Sequence, residues 1–598
     1  MIIKNQVALL LCTTFLLGAC SKNDDVVITY PDPSVPENGP GNNNNNNGNE
    51  NNTDPYAYLS EYKPLKECLD RTAHPTFKVS AALDVADFNS KGQLYNLAKE
   101  NFDEVVAGNA MKMASCVWDN GGMNFTRVQD FVKSTEEAGI SIYGHTLLWH
   151  SQQPVNWLGS LISGKVQSTG SGEMKVIYNY DFSDDSQMIN GWGDTSSRSI
   201  ADGALVLKNT AEGNSWSSQA AIDGDLIPQD TKMTLKIKAK ASQDYSFSIG
   251  FQNPSPDEGY PSCGNFPALS LTTEYQEFEV STVISGPKAT RFLVNFGDIV
   301  GSVYIDQLTL SAESIEKIPL TKQETVDTLV WAMKSWMNGM MNATQGKVKA
   351  WDLINEAVSG GGNVNGYYEL QNAKQQNSGS WDVGGSNFFW QDYLGAENYG
   401  VIAERVAREA YAAVEGTDPN DLKLFINDYN LESTWDNNKK LESLIYWIGV
   451  WEKGGAQIDG IGTQMHINYY RNKNDQENQK KAITRMFELM AKTGKLCRVS
   501  ELDMGVADTQ QESFSGKKYT TSQMNFELEK EMADYYQWII EEYFRVIPVE
   551  QQYGICQWTI TDSPANSGWR ANEPVGLFYL NSYKRKPAYG GWAEGLSK

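Results

Sequence analysis

The sequence predicts an α/β protein built on a (β/α)₈ barrel, with an all-β sandwich inserted into the barrel chain. Over most of the chain, short apolar runs alternate with apolar stripes at helical spacing, which is the pattern of parallel strands joined by helices. Several runs end in polar residues, and such barrels carry their functional residues at the carboxyl ends of the strands. One stretch, residues 166–315, instead shows strand-like alternation with almost no helical stripe.

Repeated strand–helix units predict that the barrel occupies residues 56–165 and 316–598. The clearest helix follows Thr321, which opens a capping box with Glu324 and precedes an apolar stripe at 326–337. Further helical stripes lie at 401–410 and 483–490. Seven apolar runs are predicted as barrel strands, at residues 77–83, 141–145, 350–355, 424–427, 458–464, 496–501 and 554–558.

Residues 166–315 are predicted to form the inserted β-sandwich, because short alternating runs recur there at regular spacing. Its flanks at 168–172 and 311–314 are rich in Ser and small residues and are predicted to be hinges. A rigid barrel tolerates such an insertion because its loops lie on the surface.

The first 19 residues are predicted to be a lipoprotein signal peptide. An apolar run at 7–17 is too short to span a bilayer, and it ends at Cys20 in a sequence that resembles a bacterial lipobox. The acidic residues after Cys20 resemble the surface-export signal of Bacteroidetes lipoproteins. The alternative is an ordinary cleaved signal with a chance cysteine. Residues 20–55, rich in Asn, Gly and Pro, are predicted to be a flexible tether.

Charge and cysteine usage exclude several classes of partner. A net charge of -24 argues against nucleic acid or an anionic membrane surface, and solubility is the simpler reason for this acidity. After Cys12 and Cys20, the remaining cysteines are widely spaced without a CxxC pair, so we expect no zinc site. One or two disulfides are compatible with export, but their pairing is not readable.

Two apolar runs end on a glutamate, Glu356 after Asn355 and Glu501 two residues before Asp503. A glutamate at the end of a buried strand is rigid and well aimed. Hydrolysis of a glycosidic bond needs two carboxyl groups held across the bond, one to protonate and one to attack. The alternative reading of either glutamate is a structural buried ion pair.

Six motifs in order resemble glycoside hydrolase family 10, whose members are retaining endo-β-1,4-xylanases on a (β/α)₈ barrel. The resemblance covers about 60–165 and 316–598. The motifs lie at residues 109–112, 144–152, 351–357, 462–466, 500–503 and 558–562, with Trp569 beyond them.

The resemblance implies a role for each matching residue. Glu356 matches the acid/base, whose pKa must be raised, and Glu501 matches the ionised nucleophile. Asn355 is expected to bind the sugar 2-hydroxyl. His466 is expected to form a hydrogen bond with Glu501, and Asp503 is expected to orient His466. Gln464 is expected to orient Glu501 or the sugar. The tryptophans of the motifs are expected to stack on sugar rings, with packing in the core as the alternative. The other residues expected to bind substrate are Asn109, Lys112, His145, Trp149, Gln152, Tyr429, Trp558 and Trp569.

The sequence departs from the family pattern at two positions. Gly108 stands where the family usually has a glutamate, and Met113 stands where tryptophan is common. These changes put affinity at the −2 sugar in doubt, and leave the two carboxylates untouched. The loop at 359–398 is long and directly follows Glu356, so we expect it to reshape the acceptor side.

The inserted sandwich resembles carbohydrate-binding modules of families 4 and 22. Trp216, Phe251 and Tyr260 are the predicted sugar platforms, although each could equally be a core residue. Such modules often hold a structural calcium, which makes Asp181 and Asp306 predicted ligands.

The expected function is cleavage of internal linkages of xylan or arabinoxylan by an outer-membrane lipoprotein facing the cell exterior, with no cofactor for catalysis. Three alternatives stay open. The chain could be a glycan-binding lipoprotein with little or no turnover, a scaffold for other surface glycan-uptake proteins, or a β-glucan-cleaving relative.

Overall fold

The computed structural model describes residues 54–168, 172–256, 258–374 and 387–598. The chain divides into two compact units, one comprising Met1–Ile162 with Lys322–Lys598 and the other Ser163–Thr321. The predicted signal peptide, Cys20 and nearly all of the predicted tether lie outside the described residues, as does part of the loop at 359–398.

The first unit is a barrel of parallel strands, each followed along the chain by a helix. The strands are β1 (Lys78–Leu83), β2 (Glu104–Ala107), β3 (Ser141–Tyr143), β4 (Ala350–Asn355), β5 (Lys423–Asp428), β6 (Gly460–Thr463), β7 (Leu496–Ala507) and β8 (Gln552–Gln557). The helices are α1 (Gln93–Asn101), α2 (Thr126–Ala138), α3 (Lys322–Ala343), α4 (Ala396–Ala412), α5 (Lys439–Lys453), α6 (Lys473–Ala491), α7 (Phe526–Val546) and α8 (Pro587–Leu596). Shorter helices are Leu65–Cys68, Val85–Asn89, Met113–Cys116, Val155–Ile162, Trp390–Leu394 and Gln510–Phe514.

The strand order confirms the predicted (β/α)₈ barrel. Strands pair in parallel in the order β4–β5–β6–β7–β8–β1–β2–β3. Parallel bridges from Gly144 to Trp351 and from Leu148 to Ile354 close the remaining gap between β3 and β4. A short strand after β6, His466–Tyr470, extends the pairing with β7. All carboxyl ends therefore meet at one face of the barrel.

The barrel interior is filled by side chains that include a buried ion pair. Nη1 of Arg498, on β7, lies 2.7 Å from Oε1 of Glu104 on β2. Ser80 and Tyr553 also donate to this carboxylate, at 2.8 and 3.0 Å. The guanidinium carbon of Arg498 lies 3.7 Å from the ring centroid of Tyr143. The buried Glu104 carboxylate is thus paired with a cation and hydrogen-bonded at both oxygens.

The helices bury the apolar stripes that predicted them. On α3, Leu329, Met333, Trp336 and Met337 are fully buried against the barrel. Burying a side chain of this size stabilises the fold by about 1.5–3 kcal/mol. The indole of Trp336 also donates to the C=O of Leu147 at 2.7 Å. Helix α3 begins directly after Thr321, as the capping box predicted.

The second unit contains two six-stranded antiparallel sheets around one apolar core. One sheet comprises Met174–Tyr180, Ser196–Ala201, Ala204–Asn209, Lys232–Ala241, Gln276–Val283 and Gly301–Glu313. The other comprises Gly191–Trp192, Gln219–Ile227, Tyr245–Gln252, Ser262–Asn265, Leu269–Leu271 and Ala289–Asn295. Lys165–Ser168 and Ile315–Ile318 form a separate antiparallel ribbon.

Two predictions for this unit are wrong. The hinge predicted at 311–314 lies mostly within Gly301–Glu313, where Ala312 is buried and pairs with Met233. Phe251 is only 1% exposed and packs in the core against Phe266 and Phe292, so it cannot be a sugar platform. In both cases the residue lies on the buried face of a strand.

The described residues include no helix that is long and apolar enough to cross a bilayer. Each of the five cysteines after Cys20 is a free thiol.

Candidate active site

The two predicted carboxylates are carried by β4 and β7. Glu356 directly follows the last residue of β4, with φ at 55°, and Glu501 lies within β7. A positive φ at a non-glycine residue costs on the order of 1–3 kcal/mol and is found where surrounding contacts impose it. The Glu501 side chain is buried and that of Glu356 is partly exposed.

The Glu356 carboxyl accepts hydrogen bonds from two neutral side chains. Oε2 accepts from the Trp149 indole at 3.0 Å, and Oε1 accepts from Gln464 Nε2 at 3.0 Å. Burial raises the pKa of Glu356 above its ordinary value; the Gln464 hydrogen bond lowers it, while the charges of Asp428 and Glu501 raise it further. Because the net effect is upward, this carboxyl favours the protonated form more than a free glutamate does.

The pKa of Glu501 is shifted in the opposite direction. Oε1 accepts from Asn427 Nδ2 at 3.0 Å, and Oε2 lies 3.3 Å from Nε2 of His466. Burial opposes ionisation, but the His466 hydrogen bond and nearby positive charges, including Lys112, outweigh it and lower the pKa of Glu501 to about 2. This carboxyl is therefore ionised at neutral pH.

His466 carries one of these positive charges because Asp503 faces the ring nitrogen that points away from Glu501. Nδ1 of His466 lies 2.9 Å from Oδ2 of Asp503. Burial alone would lower the pKa of His466, but the charges of Asp503 and Glu501 raise it to about 10. The Trp569 indole donates to Asp503 at 2.8 Å, and Arg570 Nε lies 2.9 Å from its other oxygen. The arrangement agrees with the predicted orienting role of Asp503.

A chain of amides links the two carboxylates. Asn427 donates to both Glu501 and Asn355 Oδ1, at 3.0 and 2.9 Å. Gln464 in turn donates to Asn355 Oδ1 and to Glu356, at 3.3 and 3.0 Å. Asn427 was not predicted as a site residue, although its position at the end of β5 was a usable signal. Gln464 contacts Glu356, so the expectation that it orients Glu501 is wrong; a direct contact with sugar stays a prediction.

His145 and Lys112 are both buried near the carboxylates. Nδ1 of His145 lies 2.8 Å from Oδ2 of Asp352, which orients the ring. Nζ of Lys112 donates to Asn109 Oδ1 at 3.0 Å and lies 5.0 Å from the Trp149 ring centroid. Lys112, Asn109 and Trp149 thus form one group beside Glu356.

The remaining predicted ligands also lie at this end of the barrel. The Trp558 ring meets His145 edge-on at 5.7 Å between centroids, and the Trp569 ring lies 4.5 Å from His466. Nζ of Lys440 lies 3.2 Å from the ring centroid of Tyr429. The C=O of Gln152 accepts from Ala114 N, which ties the β3 loop to the Lys112 segment. Trp569 is 41% exposed, so it offers a ring face to solvent.

The two departures from the family pattern differ in their surroundings. A Cβ built at Gly108 would meet only the Leu83 C=O, at 3.5 Å, so a side chain has room there. Met113 is buried, at 4% exposure.

Predicted calcium ligands in the second unit are engaged by protein donors. Asp306 pairs with Lys238 at 2.7 Å, and Asp181 accepts from Gln187 Nε2 at 2.7 Å and from Ser183 N at 3.1 Å. Among the described residues, no group of three or more His, Cys, Asp or Glu side chains is arranged to hold a metal. Calcium binding stays a prediction.

The two remaining predicted platforms of the second unit are exposed. Trp216, on the short turn Ser215–Ser217, is 64% exposed, and Tyr260 is 50% exposed. An exposed indole is available to stack on a sugar ring.

A (β/α)₈ barrel that carries two carboxyls at one face, one with a raised pKa and one with a lowered pKa, is the arrangement of a glycoside hydrolase. A family model described as glycosyl hydrolase family 10 matches residues 68–179 and 311–594. The chain belongs to this family.

Named relatives match over parts of the chain. Endo-beta-1,4-xylanase Xyn10C of Cellvibrio japonicus is 27% identical over 42% of this chain and 37% of its own length. Endo-1,4-beta-xylanase C of Paenibacillus barcinonensis is 27% identical over 46% of this chain and 22% of its own. The chain thus spans well under half the length of these relatives. The crystal structure of xylanase B from Clostridium stercorarium F9 aligns over 89% of this chain and 99% of its own, with 17% identity and a TM-score of 0.48.

Proposed function

We propose that the protein is a retaining endo-β-1,4-xylanase that cleaves internal linkages of xylan at the cell surface. The observation that carries this proposal is the opposed tuning of two carboxyls in one site, with the pKa of Glu356 raised and the pKa of Glu501 lowered to about 2. Retaining hydrolysis needs one proton donor and one anionic nucleophile held about 5–5.5 Å apart.

In the first step, Glu356 transfers its proton to the glycosidic oxygen while a Glu501 oxygen attacks the anomeric carbon. The bond from that carbon to the glycosidic oxygen breaks, the acceptor end of the polymer leaves, and the sugar is held as an ester of Glu501. His466 and Asn427, which contact Glu501, stabilise its charge until attack and orient the attacking oxygen.

In the second step, the Glu356 carboxylate takes a proton from water, and the water oxygen attacks the anomeric carbon. The ester bond breaks, Glu501 leaves as a carboxylate, and both residues return to their starting protonation states. Two displacements at one carbon retain its configuration. Asn355, His145, Lys112 and Asn109 hold the donor-side sugars in this proposal.

Xylan or arabinoxylan is the substrate that the named relatives favour. One relative, from Acetivibrio thermocellus, is called exoglucanase XynX, at 26% identity, so a β-glucan-cleaving activity is the second candidate. Glucose carries a hydroxymethyl group that xylose lacks. Rates on xylan and on soluble β-glucans separate the two, and faster cleavage of glucan would refute xylan as the substrate.

The central test is product analysis on arabinoxylan with the wild type and Glu501→Gln. The substitution removes the nucleophile with little change in volume, so turnover should fall by at least about 10³-fold while binding is retained. Glu415→Gln, at an exposed position, is the matched control and should behave as the wild type. Wild-type turnover in Glu501→Gln would disprove the nucleophile assignment. A wild type that binds xylan but releases no reducing ends would instead indicate a glycan-binding lipoprotein.

Cell-surface anchoring is the second part of the proposal. Lipidation of Cys20 would hold the enzyme at the outer membrane, and the polar stretch at 20–55 would let it reach nearby polymer. Labelling with a radioactive fatty acid should mark the wild type and not Cys20→Ser. Protease added to whole cells should remove the activity if the enzyme faces outward. Affinity capture from membranes tests for other glycan-uptake proteins.

A further inference from the structure

The backbone segment that carries Glu356 is tied to β5 by two hydrogen bonds. The amide of Glu356 donates to the C=O of Asn427 at 2.7 Å, and the amide of Val358 donates to Oδ2 of Asp428 at 2.9 Å. Glu356 has a φ of 55°, which a non-glycine residue keeps only when its surroundings hold it. One bond thus holds the strained residue at its own amide, and the other holds the chain two residues later.

Asp428 is completely buried, and its charge is balanced by Lys440. Oδ1 lies 2.8 Å from Nζ of Lys440, whose side chain is itself 5% exposed. Lys440 lies in the first turn of α5, where a cation opposes the helix dipole. Apolar side chains of similar volume often stabilise a core as well as a buried ion pair does. The pair therefore suggests a role beyond stability.

The same pair also fixes Tyr429. Oδ1 of Asp428 accepts from the backbone amide of Tyr429 at 2.9 Å, and Nζ of Lys440 lies 3.2 Å from the centre of its ring. One buried pair thus holds both the Glu356 segment and the tyrosine expected on the acceptor side.

We propose that Asp428 and Lys440 are positioning residues for the proton donor. Asp428 holds the Glu356 segment through the Val358 amide, and Lys440, 2.8 Å from its other oxygen, opposes the rise in the pKa of Asp428 that burial causes. Both residues act on the reaction through the placement of Glu356. The inference rests on the proposed function, in which Glu356 protonates the leaving oxygen.

Two uncharged double variants test the proposal. Asp428→Leu with Lys440→Met replaces the ion pair by apolar side chains of similar volume and leaves the Val358 amide without its acceptor. Asp428→Asn with Lys440→Met is equally uncharged but keeps one carbonyl oxygen for that amide. The measurement is kcat/KM, which reports the first step, on aryl β-xylobiosides with phenyl and 2,4-dinitrophenyl leaving groups. Thermal melting checks that each variant folds.

A misplaced proton donor slows the cleavage only of those substrates whose leaving group needs a proton. We expect the leucine variant to lose about 100-fold on the phenyl substrate and less than about threefold on the dinitrophenyl substrate. On the phenyl substrate, kcat/KM of the asparagine variant should be at least about tenfold higher than that of the leucine variant. Equal losses on both substrates, or wild-type rates on both, would overturn the proposal.

Lys440→Met alone provides an independent test if the leucine variant does not fold. Without the cation, the pKa of the buried Asp428 rises further and its strength as an acceptor falls, so a smaller loss confined to the phenyl substrate is expected. Loss of equal size on both substrates would count against a positioning role. A wild type that cleaves neither substrate would refute the proposed function itself, separately from this inference.

Discussion

Nε2 of His466 lies 3.3 Å from Oε2 of Glu501, while Nδ1 of the same ring lies 2.9 Å from Oδ2 of Asp503. The imidazole therefore stands between two carboxylates and stays charged, with a pKa raised to about 10. That charge keeps Glu501 ionised although the side chain is buried. The distance between His466 and Asp503 thus bears directly on the charge of the proposed nucleophile.

His466→Asn should shift the acid limb of the pH profile. Without the imidazolium, Glu501 lacks the cation that lies beside it, and its pKa should rise by about one to two units from about 2. The acid limb of kcat/KM, where ionised Glu501 becomes protonated, should move upward by the same amount.

Asp508→Asn, at an exposed carboxylate paired with Arg471, is the control and should leave the acid limb in place. An unchanged limb in a folded His466→Asn variant would mean that His466 does not tune Glu501.

Gly108→Glu should strengthen binding on the donor side. The position has space for a Cβ, and the family usually has a carboxylate there that accepts from a sugar hydroxyl. A hydrogen bond to a charged group contributes about 1.5–3 kcal/mol, so KM for xylo-oligosaccharides should fall about tenfold or more. Turnover at saturation should change little because the reacting carboxyls are untouched.

Gly108→Gln separates charge from size in this experiment, since it should give a smaller gain. A KM that stays constant or rises in Gly108→Glu would show that the added carboxylate does not reach the sugar.

Arg498→Met should destabilise the barrel by about 3–5 kcal/mol, because it leaves the buried Glu104 carboxylate without its cation. Urea unfolding followed by tryptophan fluorescence measures the change. Adding Glu104→Gln should recover much of the loss, since no buried charge then remains. Arg405→Met, at an exposed ion pair, should change stability by less than about 0.5 kcal/mol. A much smaller loss of unfolding free energy in Arg498→Met would mean that other groups stabilise the Glu104 charge.

Trp216→Ala should weaken retention on xylan if the second unit binds sugar. The indole is 64% exposed, and its loss should lower affinity about tenfold in the full chain carrying Glu501→Gln, which cannot digest the matrix. Val283→Ala, at an exposed apolar position of the same unit, is the matched control. Equal retention of both variants would rule out Trp216 as a platform. Calcium binding is tested in parallel by the effect of a chelator on melting.

Most barrel elements were predictable because their signals are local. The capping box at Thr321 and the stripe behind it located α3, and apolar runs located seven of the eight strands. Strand β2, Glu104–Ala107, was missed. It has only four residues and begins with a glutamate, and that glutamate is buried only because Arg498 reaches it from β7.

The sequence by itself determined the barrel, the inserted all-β unit and the two carboxylates, because period, motif order and strand ends are properties of neighbouring residues. Only the tertiary structure decided that Asn427 touches Glu501, that Gln464 touches Glu356, that Phe251 is core, and that Asp428 and Lys440 form a buried pair. Those contacts join residues from different strands and helices, and the physical forces that tune the two glutamates, burial and charge at a few ångströms, arise only when the barrel closes.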